Sequence, residues 1–160
     1  RLRRLRDESR ETVILGQPQA NWRGVIYLEV LEGPQTIRYS ASIGDIKPLH
    51  SSSIGKALLS SLGPATLDTV LRKLPMDKVT RSTITTKVRL KADIEAGVRR
   101  GYQTTVGENV ADVSAIAAPL FIESKTYGIA IAAPLSRLDG DLKRLTGLLA
   151  GAVADLGGKA

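Results

Sequence analysis

Two runs of strand-forming residues, Val113 to Ile122 and Tyr127 to Ala133, are separated only by the polar tetrapeptide Glu123-Ser124-Lys125-Thr126. A link this short joins antiparallel neighbours, because a parallel pair needs a crossover of a dozen or more residues. Tyr102 to Val106 adds a third strand just upstream. An earlier group consists of Thr12 to Gly16 and Gly24 to Leu31, after which Gly33-Pro34 punctuates the chain and Gln35 to Ser40 resumes an alternating pattern. That group reads as a strand followed by a hairpin. Within it Ile26, Leu28 and Val30 alternate with Tyr27, Glu29 and Leu31, which predicts one buried and one partly covered face.

Between the strand groups the apolar period becomes helical. Ser51, Ser52 and Ser53 precede Ile54-Gly55-Lys56-Ala57-Leu58-Leu59, and a hydroxyl there can accept from unpaired N–H groups, so a helix is expected from about Ser52 to Leu62, ended by Gly63-Pro64. Leu67, Val70, Leu71 and Leu74 mark a second helix closed by Pro75. After a threonine-rich loop over 80–86, Leu90, Ile94 and Val98 mark a third, with Gly101 as its stop. Residues 1–10 read as a short, mostly exposed helix around Leu2 and Leu5. Residues 139–156 read as one long helix with a stripe of Leu142, Leu145, Leu148, Leu149, Val153 and Leu156, either plain core or a dimer seam. Strands gathered in two groups, with no βαβ alternation, imply an α+β fold on a curved antiparallel sheet.

At 160 residues, 42% apolar and 24% charged, the chain suits one globular domain. It has no cysteine, which excludes disulfides, thiolate zinc sites and thiol nucleophiles. Its apolar stretches fall short of the roughly 20 residues of a membrane helix. The arginine-rich start runs into Asp7-Glu8-Ser9-Arg10-Glu11 rather than an apolar signal segment, so a cytoplasmic protein with no membrane partner is expected. The net charge of +7 invites a nucleic-acid reading. Against that reading, the basic residues are dispersed and one Trp and one Phe supply few stacking platforms, so a solvated basic helix is the simpler account.

Catalytic and metal motifs are missing. Ile54-Gly55-Lys56-Ala57 looks like the end of a phosphate-binding loop, but His50 stands where its first glycine belongs and Ala57 where its hydroxyl residue belongs. His50 beside three serines does not place a nucleophile opposite a base, and no Gly-x-Ser-x-Gly elbow occurs, so a hydrogen-bonded structural histidine is expected and no catalytic residue is assigned. One His and no Cys leave only carboxylates as metal ligands and no run resembles a calcium loop, so no metal site is assigned, and no cofactor is expected. Gly107-Glu108-Asn109-Val110-Ala111-Asp112 is either a surface connection or a pocket rim. Ala115-Ile116-Ala117-Ala118-Pro119 is unusual for a strand, and its small side chains leave room either for closely packed helices or for a ligand cavity.

Pro48-Leu49-His50-Ser51-Ser52-Ser53-Ile54-Gly55-Lys56-Ala57-Leu58-Leu59 is similar to a segment of the effector-binding domain of IclR-type transcription regulators. Thr80, Thr83-Ile84-Thr85, Arg99-Arg100-Gly101-Tyr102, Glu108 and Val113-Ser114-Ala115-Ile116-Ala117-Ala118-Pro119-Leu120-Phe121 follow in that family's order. The resemblance implies a GAF-like (profilin-like) domain with about six strands and helices on both faces. Residues 1–10 would end a linker helix and 11–160 form the effector domain, with a winged helix-turn-helix domain outside this chain. It implies a small-molecule effector, a homodimer or dimer of dimers, and operator DNA reached only through that other domain; family members act as repressors or activators. By position the pocket would be lined by Thr36, Lys47, Ser53, Ile54, Thr105, Val113, Ala115, Ala132 and Pro134. The family often has an acid at Thr105, a cysteine at Ala115 and serines at Ala132 and Pro134, so this pocket is expected to be less polar on the sheet side. The matching ligand is a carboxylate on an apolar or aromatic body, its anion held by Ser52, Ser53 and the N–H groups that open the helix. The alternatives are a stand-alone ligand-binding or dimerisation module and a small-acid hydrolase on the same fold.

Overall fold

In a computed structural model, which describes residues 1–157, strands β5 (Val113–Ile122) and β6 (Lys125–Pro134) pair antiparallel through ten residue pairs, from Val113↔Pro134 to Ile122↔Lys125. Residues 158–160, which close the expected domain range, lie outside the described residues. The link shrinks to Glu123-Ser124, with Glu123 at φ 55°, the positive φ that a two-residue hairpin demands of its first central residue. On the far side of β5 runs β4 (Gln103–Val106). Beside β6 lies β1 (Thr12–Pro18), followed by β2 (Gly24–Leu31) and the short β3 (Ile46–Pro48). The result is one antiparallel six-stranded sheet in the order β3-β2-β1-β6-β5-β4.

Helices cover both faces, as the resemblance implies. Helices α2 (Ser53–Ser60), α3 (Pro64–Lys73) and α4 (Lys87–Arg100) pack with Ile14, Val25, Tyr27, Ala115, Ala117, Ala130 and Ala132. Helices α1 (Leu2–Ser9), α5 (Leu135–Gly140) and α6 (Leu142–Leu156) pack with Val13, Ile116, Leu120, Ile129 and Ile131. Strand alternation is what sorts these residues, since neighbours in sequence point to opposite faces.

Two expectations need correction. Gln35 to Ser40 is not a strand: β2 pairs next with β3, and 33–45 forms a loop. Its carbonyls are taken by side chains instead of a ladder, Tyr39 O by Thr12 Oγ1 at 2.6 Å and Ile37 O by Arg137 Nη2 at 2.9 Å. The single helix over 139–156 is two, divided at Asp141, whose φ of −132° breaks the turn. Leu138 alone anchors the six-residue α5, too little for a periodic signal. In α6 only Leu145 and Leu149 are fully buried; Leu142, Leu148, Val153 and Leu156 flank the core half-covered.

The β2 alternation is also interrupted. The register passes from Leu15↔Glu29 to Gly16↔Tyr27, so Leu28 is an extra residue in a β-bulge. Before the bulge Val25 and Tyr27 face the α2 side; beyond it Val30 does.

Candidate functional site

The start of α2 leans on the middle of the sheet, where Gly16, Gly128 and three alanines keep the surface low. A Cβ on Gly128 would lie 2.5 Å from Ile54 Cγ2, and one on Gly16 would lie 3.3 Å from the same atom, so these two glycines let the helix approach. Gly55, from the run that resembles a phosphate loop, is also a packing residue: a Cβ there would meet Leu49 O at 2.2 Å. Next to this contact Ala115, Ala130 and Ala132, with Ile14, Ile54, Val110 and Val113, bound the apolar part of a cavity. Ser51, Ser52, Ser53, Thr105, Asn109, Tyr27 and Tyr39 bound its polar part. Ala115 faces the cavity, Ala117 lies in the same layer, and Ile116 points to the opposite core.

Of the ten residues expected to line a pocket, seven come together here: Ser52, Ser53, Ile54, Thr105, Val113, Ala115 and Ala132. Three do not. Thr36 is exposed on the loop, Lys47 lies 5.9 Å from the centre of the Tyr27 ring and 3.6 Å from Asp45, and Pro134 pairs with Val113 at the end of β6. Tyr27, Tyr39, Ser51, Asn109 and Val110 are lining residues that sequence reasoning did not assign. Only the open alternative at 107–112 hinted at any of them.

Ser52 has a narrower role than expected. Its Oγ accepts from Gly55 N at 3.1 Å and donates to Pro48 O at 2.6 Å, so it is the N-cap of α2 and its hydroxyl is occupied. Lys56 N bonds to Ser52 O. Ser53 N and Ile54 N then remain as first-turn donors without a protein partner among the described residues, with the Ser53 hydroxyl beside them. No charged side chain lines the cavity. Burial, then Tyr39 and Asp45, push the Tyr27 phenol above its ordinary value, which keeps it a neutral donor. The space open inside is about 30 Å³. That holds about two waters, against the several hundred Å³ of ordinary ligand sites.

Two loops close the cavity. One is 107–112, held by a buried ion pair: Lys56, fully buried, donates from Nζ to Glu108 Oε1 at 2.6 Å, Asp93 Oδ2 at 2.7 Å and Thr104 O at 3.1 Å. Glu108 Oε2 accepts from Val106 N, so the pair grips the backbone on either side of Thr105. Thr80 Oγ1 donates to Gly107 O and Thr83 Oγ1 to Glu108 O. The threonine motif and the lone glutamate thus meet at one place. The other cover is 33–45, which carries Tyr39. His50 is buried with Nε2 2.7 Å from Asp77 O, the structural histidine expected. Among the described residues no cluster of His, Cys, Asp or Glu is suited to a metal ion.

Comparison with known proteins now gives the family. The sequence profile described as "Bacterial transcriptional regulator IclR C-terminal" matches residues 1–157, and the chain belongs to that family. It is 30% identical over 142 residues to the transcriptional repressor IclR of Escherichia coli (strain K12), an alignment covering 88% of this chain and 52% of the relative. An IclR transcriptional regulator from a Silicibacter species superposes with a TM-score of 0.89 at 26% identity, covering 99% of this chain and 65% of that one. An IclR homologue from Microbacterium hydrocarbonoxydans, complexed with 4-hydroxybenzoate, superposes with a TM-score of 0.80 at 27% identity, covering 97% of this chain and 64% of that one. The chain spans about half the length of the curated relatives it matches. No helix among the described residues is long and apolar enough to cross a membrane.

Proposed function

We propose that this chain is the ligand-sensing part of an IclR-type regulator and that its cavity takes a small organic acid with an apolar or aromatic body. The observation that carries this reading is the division of the cavity. An anion at one end meets Ser53 N, Ile54 N and the Ser53 hydroxyl at the positive end of α2, while the rest of the molecule meets Ala115, Ala130, Ala132 and Val113. The absence of a charged lining residue fits a ligand recognised by neutral donors and shape. The 4-hydroxybenzoate in the Microbacterium relative has this chemistry.

In the same reading α1 is the end of a linker helix from a winged helix-turn-helix domain outside residues 1–160. Two or four copies assemble in the cytoplasm, and the ligand alters how paired linker helices present their DNA readers to two half-sites. In this reading the chain performs no catalysis, and His50, with Nε2 2.7 Å from Asp77 O, is a structural residue.

A thermal-shift panel of aliphatic and aromatic carboxylic acids that includes 4-hydroxybenzoate tests the proposal, because a ligand bound only to the folded state raises its melting temperature. Saturable rises with aromatic acids are expected, together with loss of the titration heat in Ser53→Trp. Undiminished binding by Ser53→Trp places the anion elsewhere.

A further inference from the structure

The two covers of the cavity are fastened to different parts of the molecule. Loop 107–112 is fixed by the buried Lys56–Glu108 pair and by Thr80 and Thr83, all on the α2–α4 side. Loop 33–45 has no such anchor. Thr36, Ile37, Arg38 and Ser40 are exposed; Arg38 and Ser40 bind the half-exposed Glu32, and Arg38 also donates to Gln35 O within the loop. Its last residues are pinned to β2, where Gly44 N bonds to Tyr27 O at 2.8 Å and Tyr27 N to Asp45 O at 2.9 Å, and its middle is attached to the segment at the α1–β1 junction, Glu11 and Thr12. Thr12, fully buried, donates to Tyr39 O at 2.6 Å and accepts from Gly33 N at 3.3 Å. Arg137 holds Ile37 O at 2.9 Å while bound through Nε and Nη2 to both oxygens of the buried Glu11, at 2.5 and 2.7 Å.

That same segment determines where α1 lies. Arg10 turns the chain at φ 59°, Glu11 N bonds to Ser9 Oγ, and Arg144 of α6 donates to Glu8 O at 2.7 Å, a carbonyl of the last turn of α1. Arg6 of α1 in turn donates to Glu32 O at the root of the loop. Loop and helix therefore share one set of polar contacts, with Thr12 and Glu11 at its centre.

We infer that loop 33–45 is a flap latched to the end of α1: an occupant of the cavity displaces Tyr39, and because Tyr39 O and Ile37 O are held by Thr12 and by the Glu11–Arg137 pair, the displacement loosens the α1–β1 junction. The inference rests on the reading that the cavity takes a ligand. A space of about 30 Å³ forces any organic acid to move part of the lining. Of the two covers the flap yields at lower cost, since moving the other breaks a buried ion pair. Occupancy and α1 order are then two readouts of one equilibrium, and coupling between them is reciprocal.

Reciprocity makes the latch testable without a ligand, by amide hydrogen exchange on the 160-residue chain. Thr12→Val keeps the shape of the residue and removes the hydroxyl. Exchange at Arg10 N, which bonds to Arg6 O within α1, is expected to rise by roughly threefold to tenfold, the equivalent of one net hydrogen bond. Leu90 N and Gly101 N at the two ends of α4 should be unchanged. In the reverse direction, Leu5→Ala loosens α1 from α6 without touching the cavity and should speed exchange at Gly33 N in the flap. An unchanged Arg10 amide in Thr12→Val overturns the latch, as does an unchanged Gly33 amide in Leu5→Ala, and so does a uniform rise that includes α4. With 4-hydroxybenzoate added as probe, a rise at Arg10 that accompanies a thermal shift supports the latch, and a thermal shift with Arg10 unmoved overturns it. If no acid in the panel shifts the melting temperature, the ligand reading fails while the two variants still decide whether flap and helix are coupled.

Discussion

The two faces of the β5–β6 hairpin are built to opposite ends. Toward α5 and α6 it presents Ile116, Leu120, Ile129 and Ile131, with Ala118 and Ala133 as the small exceptions, and these fill a closed core. Toward α2 it presents Ala115, Ala117, Ala130 and Ala132. A layer of alanines buries less apolar area per residue, and burial contributes roughly 25 cal/mol per Å². The cavity side therefore draws more of its hold from directed contacts: the N-cap at Ser52, the Lys56 ion pair and the threonine bonds to loop 107–112. One face is held by volume and the other by polar geometry.

The sharpest way to break this contrast is Lys56→Met, which leaves the Glu108 carboxylate buried without its cation. A loss of about 3–5 kcal/mol in urea unfolding is expected. A loss below that of the next variant would show that the cavity side does not depend on the ion pair. Ile131→Ala on the opposite face should cost about 2–4 kcal/mol by the same measurement, from lost burial and the void left behind. Ser52→Ala removes the cap of α2 and should cost about 1 kcal/mol. Ala132→Val, next in sequence to Ile131 but on the other face, should change stability by under about 1 kcal/mol while abolishing the thermal shift with acids, because its methyl groups enter existing space. At neutral pH the smallest effect belongs to Tyr27→Phe. Burial raises the Tyr27 pKa in the folded state, so the folded protein keeps this proton where the unfolded chain releases it. Stability should be unaffected below about pH 10 and fall by about 1.4 kcal/mol per pH unit above it. Tyr27→Phe should remove that part of the alkaline loss.

The hairpin, α2, α4 and both alanine strands were legible because alternation, caps and a two-residue turn are local signals. The flap was not, because Gln35 to Ser40 alternates like a strand, yet its partners are the side chains of Thr12 and Arg137 rather than a neighbouring backbone. The bulge at Leu28 was equally hidden, since an extra residue changes which face is buried without changing composition. In the cavity, Ser52, Ser53, Ile54, Thr105, Val113, Ala115 and Ala132 were readable through the family resemblance. Tyr27, Tyr39, Ser51 and Asn109 were not, for their approach depends on long-range packing. Lys56 shows the limit most clearly. A lysine in an apolar helix reads as solvated, and only the fold reveals that Glu108 and Asp93 meet it.

The β1–β6 ladder has a consequence for how the protein is made. Strands β1 to β3 and β4 to β6 are each built from near neighbours in sequence, but the seam that joins them pairs Thr12 with Ala132 and Gly16 with Gly128, partners more than a hundred residues apart. Closing so long a loop is entropically costly before any contact rewards it, and such pairings slow folding. Ile14 stands on one side of the seam and Ala130 and Ala132 on the other, and all three line the cavity. Until a ribosome delivers β6, β1 has only β2 beside it, and a chain stalled short of Lys125 carries a half-sheet with an open edge and an incomplete site.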